Sequence, residues 1–358
     1  MAVLNPASRK YGMVVLGASG FTGTMVCTHI AAHFPTNLKW SVAGRSQERL
    51  ERLAAKLKKE YPDRVQPDLE IVAPNDAKTL REVIGRAKVC ISSVVYAVDG
   101  DPIIEACIDQ RTDYVDWFVI PNVSGGTMRT MLSFASGGPK AIAAAGHPSL
   151  LTPIPHTKPI EAVRGIHTHP VLGLLSLSSP PGDQARTLIN RSWGLLGGPE
   201  GSWGPNFQYN EYERAQSYVG AVFNLIRCYI ILTVFSWVQY PWFYNLLMRS
   251  APDLGVGPSE EQIKALPFTA AAFVEADPPE EINRGKGCLI KLRYNEGNYP
   301  FAAMLVAQAG ATLLYDRNLS AGINGGCLTA GVLGPDFVER ARQGGLEIET
   351  TMVESLKI

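Results

Sequence analysis

The sequence predicts an α/β protein with a Rossmann-like, doubly wound parallel sheet, followed by a second α+β domain. The apolar run from Met13 to Leu16 breaks into a G-x-x-G-x-x-G pattern and then continues as a helix with apolar periodicity. Short apolar runs alternate with helical patterns as far as Trp117, as in βαβ units. The alternation stops there, so we predict one domain over residues 1–120 and another over 121–358.

Composition narrows the class of protein. The 358 residues contain 33 Lys+Arg and 33 Asp+Glu, so bulk charge favours no nucleic acid partner. The six cysteines form no C-x-x-C pair, which is typical of reduced thiols. The polar start from Met1 to Lys10 lacks a signal-peptide pattern, and we expect a protein on the cytoplasmic side.

The glycine pattern is the first candidate site. A strand, a glycine turn and a helix together place backbone N–H groups where they can bind a pyrophosphate. A tight turn in an α/β fold that binds no nucleotide is the alternative. The residues of the turn that we predict to bind a dinucleotide are Gly17, Ala18, Ser19, Gly20, Phe21, Thr22 and Gly23.

The end of the second predicted strand, Leu38 to Ala43, indicates which dinucleotide binds. An acidic residue there would bind the 2′-hydroxyl of NAD, whereas this chain has Arg45 and Ser46, which suit a 2′-phosphate. We therefore predict NADP(H) as cofactor. Arg45 could instead simply open the solvated helix predicted over Gln47 to Lys59.

Two further strand ends supply candidates. Asn75 and Asp76 follow the third strand near the expected adenine position, although Asp76 also suits a plain helix N-cap. Ser93 lies in the fourth strand, predicted over Lys88 to Val95, and a turn from Tyr96 to Pro102 follows it. The carboxyl ends of such strands face the ligand. We therefore assign Ser93 to the cofactor and Tyr96 as a proton donor near the substrate.

Other catalytic signatures are missing. None of the 13 tyrosines has a lysine four residues later, and neither G-x-S-x-G nor H-E-x-x-H occurs. Asp99, Asp101 and Asp116 are alternative acid–base groups, with capping or loop hydrogen bonds as their simpler role. His167 and His169 share one face of a strand but lack a third ligand, so no metal is expected. Hydride transfer needs only positioning of cofactor and substrate.

Beyond Trp117 we predict a helix from Ser124 to about Phe134. The strands Phe268 to Glu275 and Gly287 to Arg293 come later, and the helix Pro300 to Leu314 is the expected centre of the second domain.

An apolar stretch over 221–248 indicates an interaction with lipid. Between Arg227 and Arg249 lie 21 residues without a charge, interrupted by Pro241 and rich in aromatic side chains. Trp and Tyr prefer the headgroup level of a membrane. A kinked interfacial anchor fits this pattern, a buried helix or homodimer contact is the first alternative, and a true span is the second.

Several motifs together resemble one family. They are the turn with Phe21-Thr-Gly, Ala43-Gly-Arg-Ser46, Tyr114-Val-Asp116, Ser124-Gly-Gly-Thr127, Arg191-Ser192, Phe207-Gln-Tyr209, Glu211-Tyr212, and the late Gly325-Gly326, Gly334 and Phe337. The combination resembles the saccharopine dehydrogenase-like oxidoreductases, which include the trans-acting enoyl reductases. The resemblance implies NADP(H) binding, oxidoreductase activity, and association of eukaryotic members with membranes or lipid droplets.

Two departures from the family pattern bear on activity. Val95-Tyr96 replaces the usual Gly-Pro-Tyr after the fourth strand. After Trp117 the chain also lacks several dozen residues that hold the family's sixth strand and active-site loop. We expect either that this member has lost both or that an exon is missing from the sequence.

The sequence therefore favours an NADP-dependent reductase of a small apolar, lipid-like, acyl or polyketide-type substrate, associated with a membrane or lipid droplet. The alternatives are a catalytically impaired NADP-binding protein at such a surface and, with weaker support, a saccharopine-type C–N dehydrogenase.

Overall fold

The structure is a computed structural model, and it describes residues 8–73, 75–94, 96–116, 131–133, 165–177, 181–237, 240–250, 257–264, 267–275, 287–316, 319 and 327–353. The strands are β1 Tyr11–Leu16, β2 Trp40–Gly44, β3 Asp68–Ile71, β4 Ala87–Ser92, β5 Asp113–Asp116, β6 Met131–Ser133, β7 His167–His169, β8 Gly173–Leu177, β9 Tyr212–Arg214, β10 Phe268–Glu275, β11 Gly287–Tyr294, β12 Cys327–Thr329 and β13 Glu347–Val353. The helices are α1 Phe21–His33, α2 Gln47–Glu60, α3 Ala77–Gly85, α4 Tyr96–Gln110, α5 Pro181–Leu195, α6 Tyr218–Trp237, α7 Pro241–Ser250, α8 Glu260–Lys264, α9 Asn298–Ala311 and α10 Gly334–Gln343.

The largest sheet has seven strands in the order β12-β6-β5-β4-β1-β2-β3. Every neighbouring pair in it is parallel. The order reverses between β1 and β4, and ligands of open α/β sheets bind beyond the strand ends at such a switch point. The α/β, Rossmann-like prediction is confirmed, and β1 and β4 define where its crevice lies.

The sixth strand position is occupied. Met131 pairs with Tyr114 of β5, and β6 pairs on its other side with β12. The helix predicted to reach Phe134 is wrong at residues 131–133, because pairing with two neighbours overrides a local helical pattern. The predicted loss of the family's own sixth strand stays a prediction. The loss of the active-site loop also stays a prediction, because residues 117–130 lie outside the part of the chain that the structure describes.

The turn predicted from Tyr96 to Pro102 is also wrong, because α4 begins at Tyr96 and runs through Pro102. A proline inside a helix removes one backbone hydrogen bond. Just beyond it, Ile103, Ile104 and Cys107 are fully or almost fully buried in the core beneath the sheet. Their burial outweighs the lost bond.

Contacts divide the chain into two compact units. The first comprises residues 1–138, 255–268 and 294–346, and the second comprises 139–254, 269–293 and 347–358. The helix predicted at Pro300 to Leu314 is α9, which is buried as expected. It belongs to the first unit, however, where it packs on α1, β4 and β5. The predicted single boundary near residue 120 remains a prediction about domains.

Two contacts show how closely α9 approaches that unit's core. A Cβ on Gly310 would lie 2.9 Å from Ile91 Cδ1 of β4, so the α9 backbone packs closely against that strand. The side chain of Gln308 lies 3.0 Å from His29 Nε2 of α1. Burial lowers the pKa of His29 to about 3, so this imidazole is neutral at physiological pH. Helix α9 thus packs against the large sheet as part of the first unit.

The second unit contains two small sheets and the apolar helices. β7, β8 and β9 form an antiparallel sheet, β11 pairs antiparallel with β13, and α6 packs on β8. The apolar stretch breaks where predicted, since α6 ends at Trp237 and α7 begins at Pro241. Among the described residues, no helix is both long and apolar enough to cross a membrane.

We predict that Arg9→Met destabilises the first unit far more than Lys10→Met. The buried Arg9 guanidinium donates to the carbonyls of Ala87 (2.7 Å) and Gln110 (2.5 Å) and to Thr112 Oγ1 (2.8 Å). Removing it leaves buried acceptors unpaired, at a cost of about 3 kcal/mol. Lys10 forms an exposed ion pair with Asp68, which contributes little. Urea unfolding measures both variants, and equal midpoints would contradict the role of Arg9.

Candidate cofactor site

The turn after β1 has the backbone geometry that a dinucleotide requires. Gly17 has a φ of +72°, a conformation strained for any residue with a side chain. Its N–H donates to the Ala43 carbonyl at 3.0 Å, and its own carbonyl accepts from the Gly20 N–H at 3.0 Å. A Cβ on Gly17 would also lie 3.0 Å from the Ser93 carbonyl oxygen. The turn is therefore closed against both β2 and the end of β4.

Helix α1 starts directly from this turn. Gly20 is its N-cap, and the first intrahelical bond runs from Thr24 N–H to the Gly20 carbonyl at 2.9 Å. The N–H groups of Phe21, Thr22 and Gly23 precede that bond and form the positive end of the helix dipole. Gly23 has the tightest contact, because a Cβ there would lie 2.1 Å from the Gly17 carbonyl oxygen. The first turn can therefore bind a pyrophosphate closely.

Ser93 lies at the switch point beside this turn. Its N–H donates to the Leu16 carbonyl at 2.9 Å, which ties the end of β4 to the end of β1. Its Oγ is buried and finds no hydrogen-bond partner within the described chain. A buried hydroxyl without a partner costs free energy that a ligand can recover. The predicted assignment of Ser93 to a cofactor therefore fits, since the hydroxyl groups of a nucleotide ribose can satisfy Oγ.

The two residues predicted to bind a 2′-phosphate differ in their contacts. Arg45 is exposed directly after β2. Ser46 is the N-cap of α2, where its Oγ accepts from the Arg49 N–H at 3.4 Å. Ser46 thus contributes to the start of the helix, whereas Arg45 is exposed to solvent.

Asn75 and Asp76 are both exposed at the end of the third strand. Asp76 caps α3, and its carboxylate accepts from the Thr79 N–H (3.2 Å) and hydroxyl (2.6 Å). The Thr79 hydroxyl, followed by the backbone N–H, lowers the pKa of Asp76. These contacts account for Asp76 as a helix cap, which is the simpler of its two predicted roles.

The proposed proton donor Tyr96 is the first residue of α4, and its side chain lies outside the described residues, as does that of Asp99. Asp101 is exposed on the same helix. Asp116 is buried at the end of β5 and accepts from the Tyr114 hydroxyl at 2.8 Å. Asp116 is therefore held in place at a strand end of the large sheet.

The two histidines considered for metal binding have other contacts. His169 Nδ1 accepts from the backbone N–H groups of Val171 (3.2 Å) and Leu172 (3.1 Å), which makes it part of the turn after β7. The His167 ring contacts Tyr212 edge-on with centroids 4.6 Å apart. No cluster of three metal-binding side chains occurs within the part of the chain described here.

A basic groove between α1 and α2 was missed by the sequence reasoning. It is an open groove of about 340 Å³, and the residues lining it are Ser19, Thr24, Arg49, Arg52, Leu53 and Lys56. The cations lie at i, i+3 and i+7 on one face of α2, a spacing that could have identified the groove. Ser19 connects it to the strand end, because its Oγ lies 3.6 Å from the position of a Cβ on Gly44.

Comparison with known proteins agrees with this geometry. Residues 13–142 match the family model of the saccharopine dehydrogenase NADP binding domain. A trans-acting enoyl reductase of Mycobacterium tuberculosis is 32% identical over 114 residues, covering 32% of this chain and 26% of that protein. A saccharopine dehydrogenase-like oxidoreductase of Mus musculus is 32% identical over 120 residues, covering 30% and 27%. Apo saccharopine dehydrogenase (L-Glu forming) from Saccharomyces cerevisiae has a TM-score of 0.45 at 11% identity, covering 96% of this chain and 100% of that one.

These matches confirm the predicted cofactor, NADP(H), and the resemblance to saccharopine dehydrogenase-like proteins. They support an NADP-binding oxidoreductase. The matched region spans about a quarter of the curated relatives.

We predict that Gly23→Ala abolishes tight NADPH binding and lowers stability. The added methyl would overlap the Gly17 carbonyl oxygen at 2.1 Å, and overpacking of this kind costs about 1–3 kcal/mol. Gly220→Ala, on α6 of the second unit, is the matched control, because the nearest atom to its added methyl, Ser217 Oγ, would lie 3.4 Å away. Thermal unfolding and NADPH fluorescence titration measure the two effects. Normal NADPH affinity in Gly23→Ala would contradict the close approach.

Proposed function

With a saccharopine dehydrogenase-type NADP-binding domain at residues 13–142 as its cofactor module, we propose that this protein is an NADPH-dependent reductase. Its substrate is a small apolar molecule of acyl, lipid or polyketide type, reduced in the manner of a trans-acting enoyl reductase. The observation that carries the proposal is the crevice at the β1–β4 switch point. There, the glycine turn and the unpartnered Ser93 hydroxyl lie together.

NADPH supplies the hydride in such a reaction. The task of this chain is then to hold the cofactor and exclude competing reactions. The first turn of α1 binds the pyrophosphate, and Ser93 positions the ribose at the end of β4. Tyr96 remains the proposed proton donor, because it lies four residues after the end of β4 and is the first residue of α4. The similarity to the mycobacterial enoyl reductase supports reduction of a carbon–carbon double bond.

Two alternatives give different solution behaviour. A catalytically impaired NADP-binding protein would bind NADPH without consuming it. A saccharopine-type C–N dehydrogenase would reduce NADP⁺ when given a secondary amine that links two amino acids.

The reductase prediction is tested by NADPH consumption at 340 nm with a medium-chain 2-enoyl thioester. We expect turnover that falls at least about tenfold in Tyr96→Phe, because a proton donor contributes roughly 10² to 10⁴ in rate. NADPH binding by Tyr96→Phe should match wild type. NADPH binding without consumption of any enoyl or keto-acyl thioester would instead support the impaired-protein alternative.

We also propose that α6 and α7 attach the protein to the cytoplasmic face of a membrane or lipid droplet. Along α6 large apolar side chains are exposed on one side, including Val219 (80%), Phe223 (66%) and Ile230 (58%). On its other side α6 packs against β8. We expect an apolar surface of this size to be covered by a partner or a lipid, because burying each such side chain would stabilise the protein by about 1.5 to 3 kcal/mol.

Charge and aromatic placement favour lipid as that cover. Arg227 of α6 forms an ion pair with Glu213, so its charge is compensated. At the break between the helices Trp237, Trp242 and Phe243 form a cluster with ring centroids 5.5 to 6.4 Å apart. Indole rings prefer the headgroup region of a bilayer. An interfacial attachment by two short helices is consistent with both features.

Flotation with phosphatidylcholine vesicles tests the attachment. We expect the wild type to float with the vesicles and the double variant Phe223→Asp, Ile230→Asp to remain in solution, because charges disfavour insertion. Val274→Asp, at an exposed valine of β10, is the matched control and should still float. The homodimer alternative would be established instead if the wild type does not bind vesicles and forms a dimer, and the double variant is a monomer.

A further inference from the structure

The basic groove between α1 and α2 carries an inference about cofactor selection. Three cations of α2, Arg49, Arg52 and Lys56, line one side of the groove, while Ser19 and Thr24 line the other. Two of these cations are already paired with carboxylates one turn away. Arg52 lies 3.4 Å from Glu48, and Lys56 lies 4.0 Å from Glu60.

Arg49 differs from its neighbours. Its backbone N–H is bound to the Ser46 Oγ, but its guanidinium makes no ion pair with any described residue. It lies in the first turn of α2, where the helix dipole favours an anion. Because each neighbouring cation has its own carboxylate, the uncompensated positive charge of the groove is concentrated at its Arg49 end.

That end of the groove also adjoins the strand end that reads the adenosine ribose. Ser19 lines the groove and belongs to the glycine turn, and its Oγ lies 3.6 Å from the position of a Cβ on Gly44. Gly44 is the last residue of β2. Ser19 and Arg49 thus line one groove beside the end of β2, where the 2′-oxygen of a bound adenosine is expected.

We propose that the 2′-phosphate of NADPH binds at this mouth of the groove, between Ser19 and Arg49, and that Arg49 is the residue that selects NADPH over NADH. A guanidinium matches phosphate geometry through two parallel N–H donors. Arg45 adds positive charge directly after β2, while Ser46 Oγ accepts a hydrogen bond from the Arg49 N–H as the cap of α2. The proposal requires NADP(H) binding but not the reductase reaction.

The test compares dissociation constants for NADPH and NADH, measured by fluorescence titration of the full chain. We expect Arg49→Gln to weaken NADPH binding about 10- to 100-fold, the range for a lost hydrogen bond to a charged group, and to leave NADH binding within about twofold. Arg49→Lys should recover part of the NADPH affinity. Lys59→Gln, at the exposed far end of α2, is the control for general charge and should change neither constant.

A second measurement separates charge recognition from damage to the fold. Adenosine 2′,5′-bisphosphate should bind more tightly than AMP to wild type, and Arg49→Gln should remove that difference. Equal weakening of NADPH and NADH would show a structural role and overturn the proposal, as would unchanged NADPH affinity. Because the readout is binding, a protein that lacks reductase turnover can still confirm it.

Discussion

The contact between Gly23 and the Gly17 carbonyl is the constraint on which the cofactor site depends. A methyl group at residue 23 would lie 2.1 Å from that oxygen, so α1 can start this close to β1 only without a side chain. The close start directs the first-turn N–H groups into the crevice between β1 and β4. Ser93 closes the same crevice from β4, because its N–H is bound to the end of β1. Cofactor geometry therefore follows from backbone packing more than from any single side chain.

The late part of the chain supports that geometry. Helix α9 packs on α1 within the first unit, and Tyr299 at its start contacts the Phe21 ring edge-on at 5.1 Å. On another side of that ring, a Cβ on Gly257 would lie 2.2 Å from Phe21 Cζ. The phenylalanine of the glycine turn is thus held by segments more than two hundred residues away. The nucleotide-binding unit is consequently discontinuous in sequence, although its glycine motif is local.

Polar residues at the ends of the strands can cap the following helix as well as bind a ligand. Ser46 and Asp76 were assigned to the cofactor by position, and both cap the helix that follows. In a parallel sheet, each helix that follows a strand begins at the edge where ligands bind. A capping residue and a ligand-binding residue therefore have the same sequence signature. Arg49 carried no such signature, because its significance depends on the groove that α1 and α2 form together and on the pairing of its neighbours.

The sequence by itself determined the α/β class, the glycine turn, the NADP(H) preference and the break at Pro241, because each depends on residues adjacent in the chain. Tertiary structure decided the features that depend on distant partners. Met131–Ser133 is a strand because β5 and β12 pair with it on either side. Helix α4 passes through Pro102 because the residues beyond it are buried. Strand pairing and burial of this extent outweigh local secondary-structure propensity. Only the assembled fold shows which segments provide those contacts.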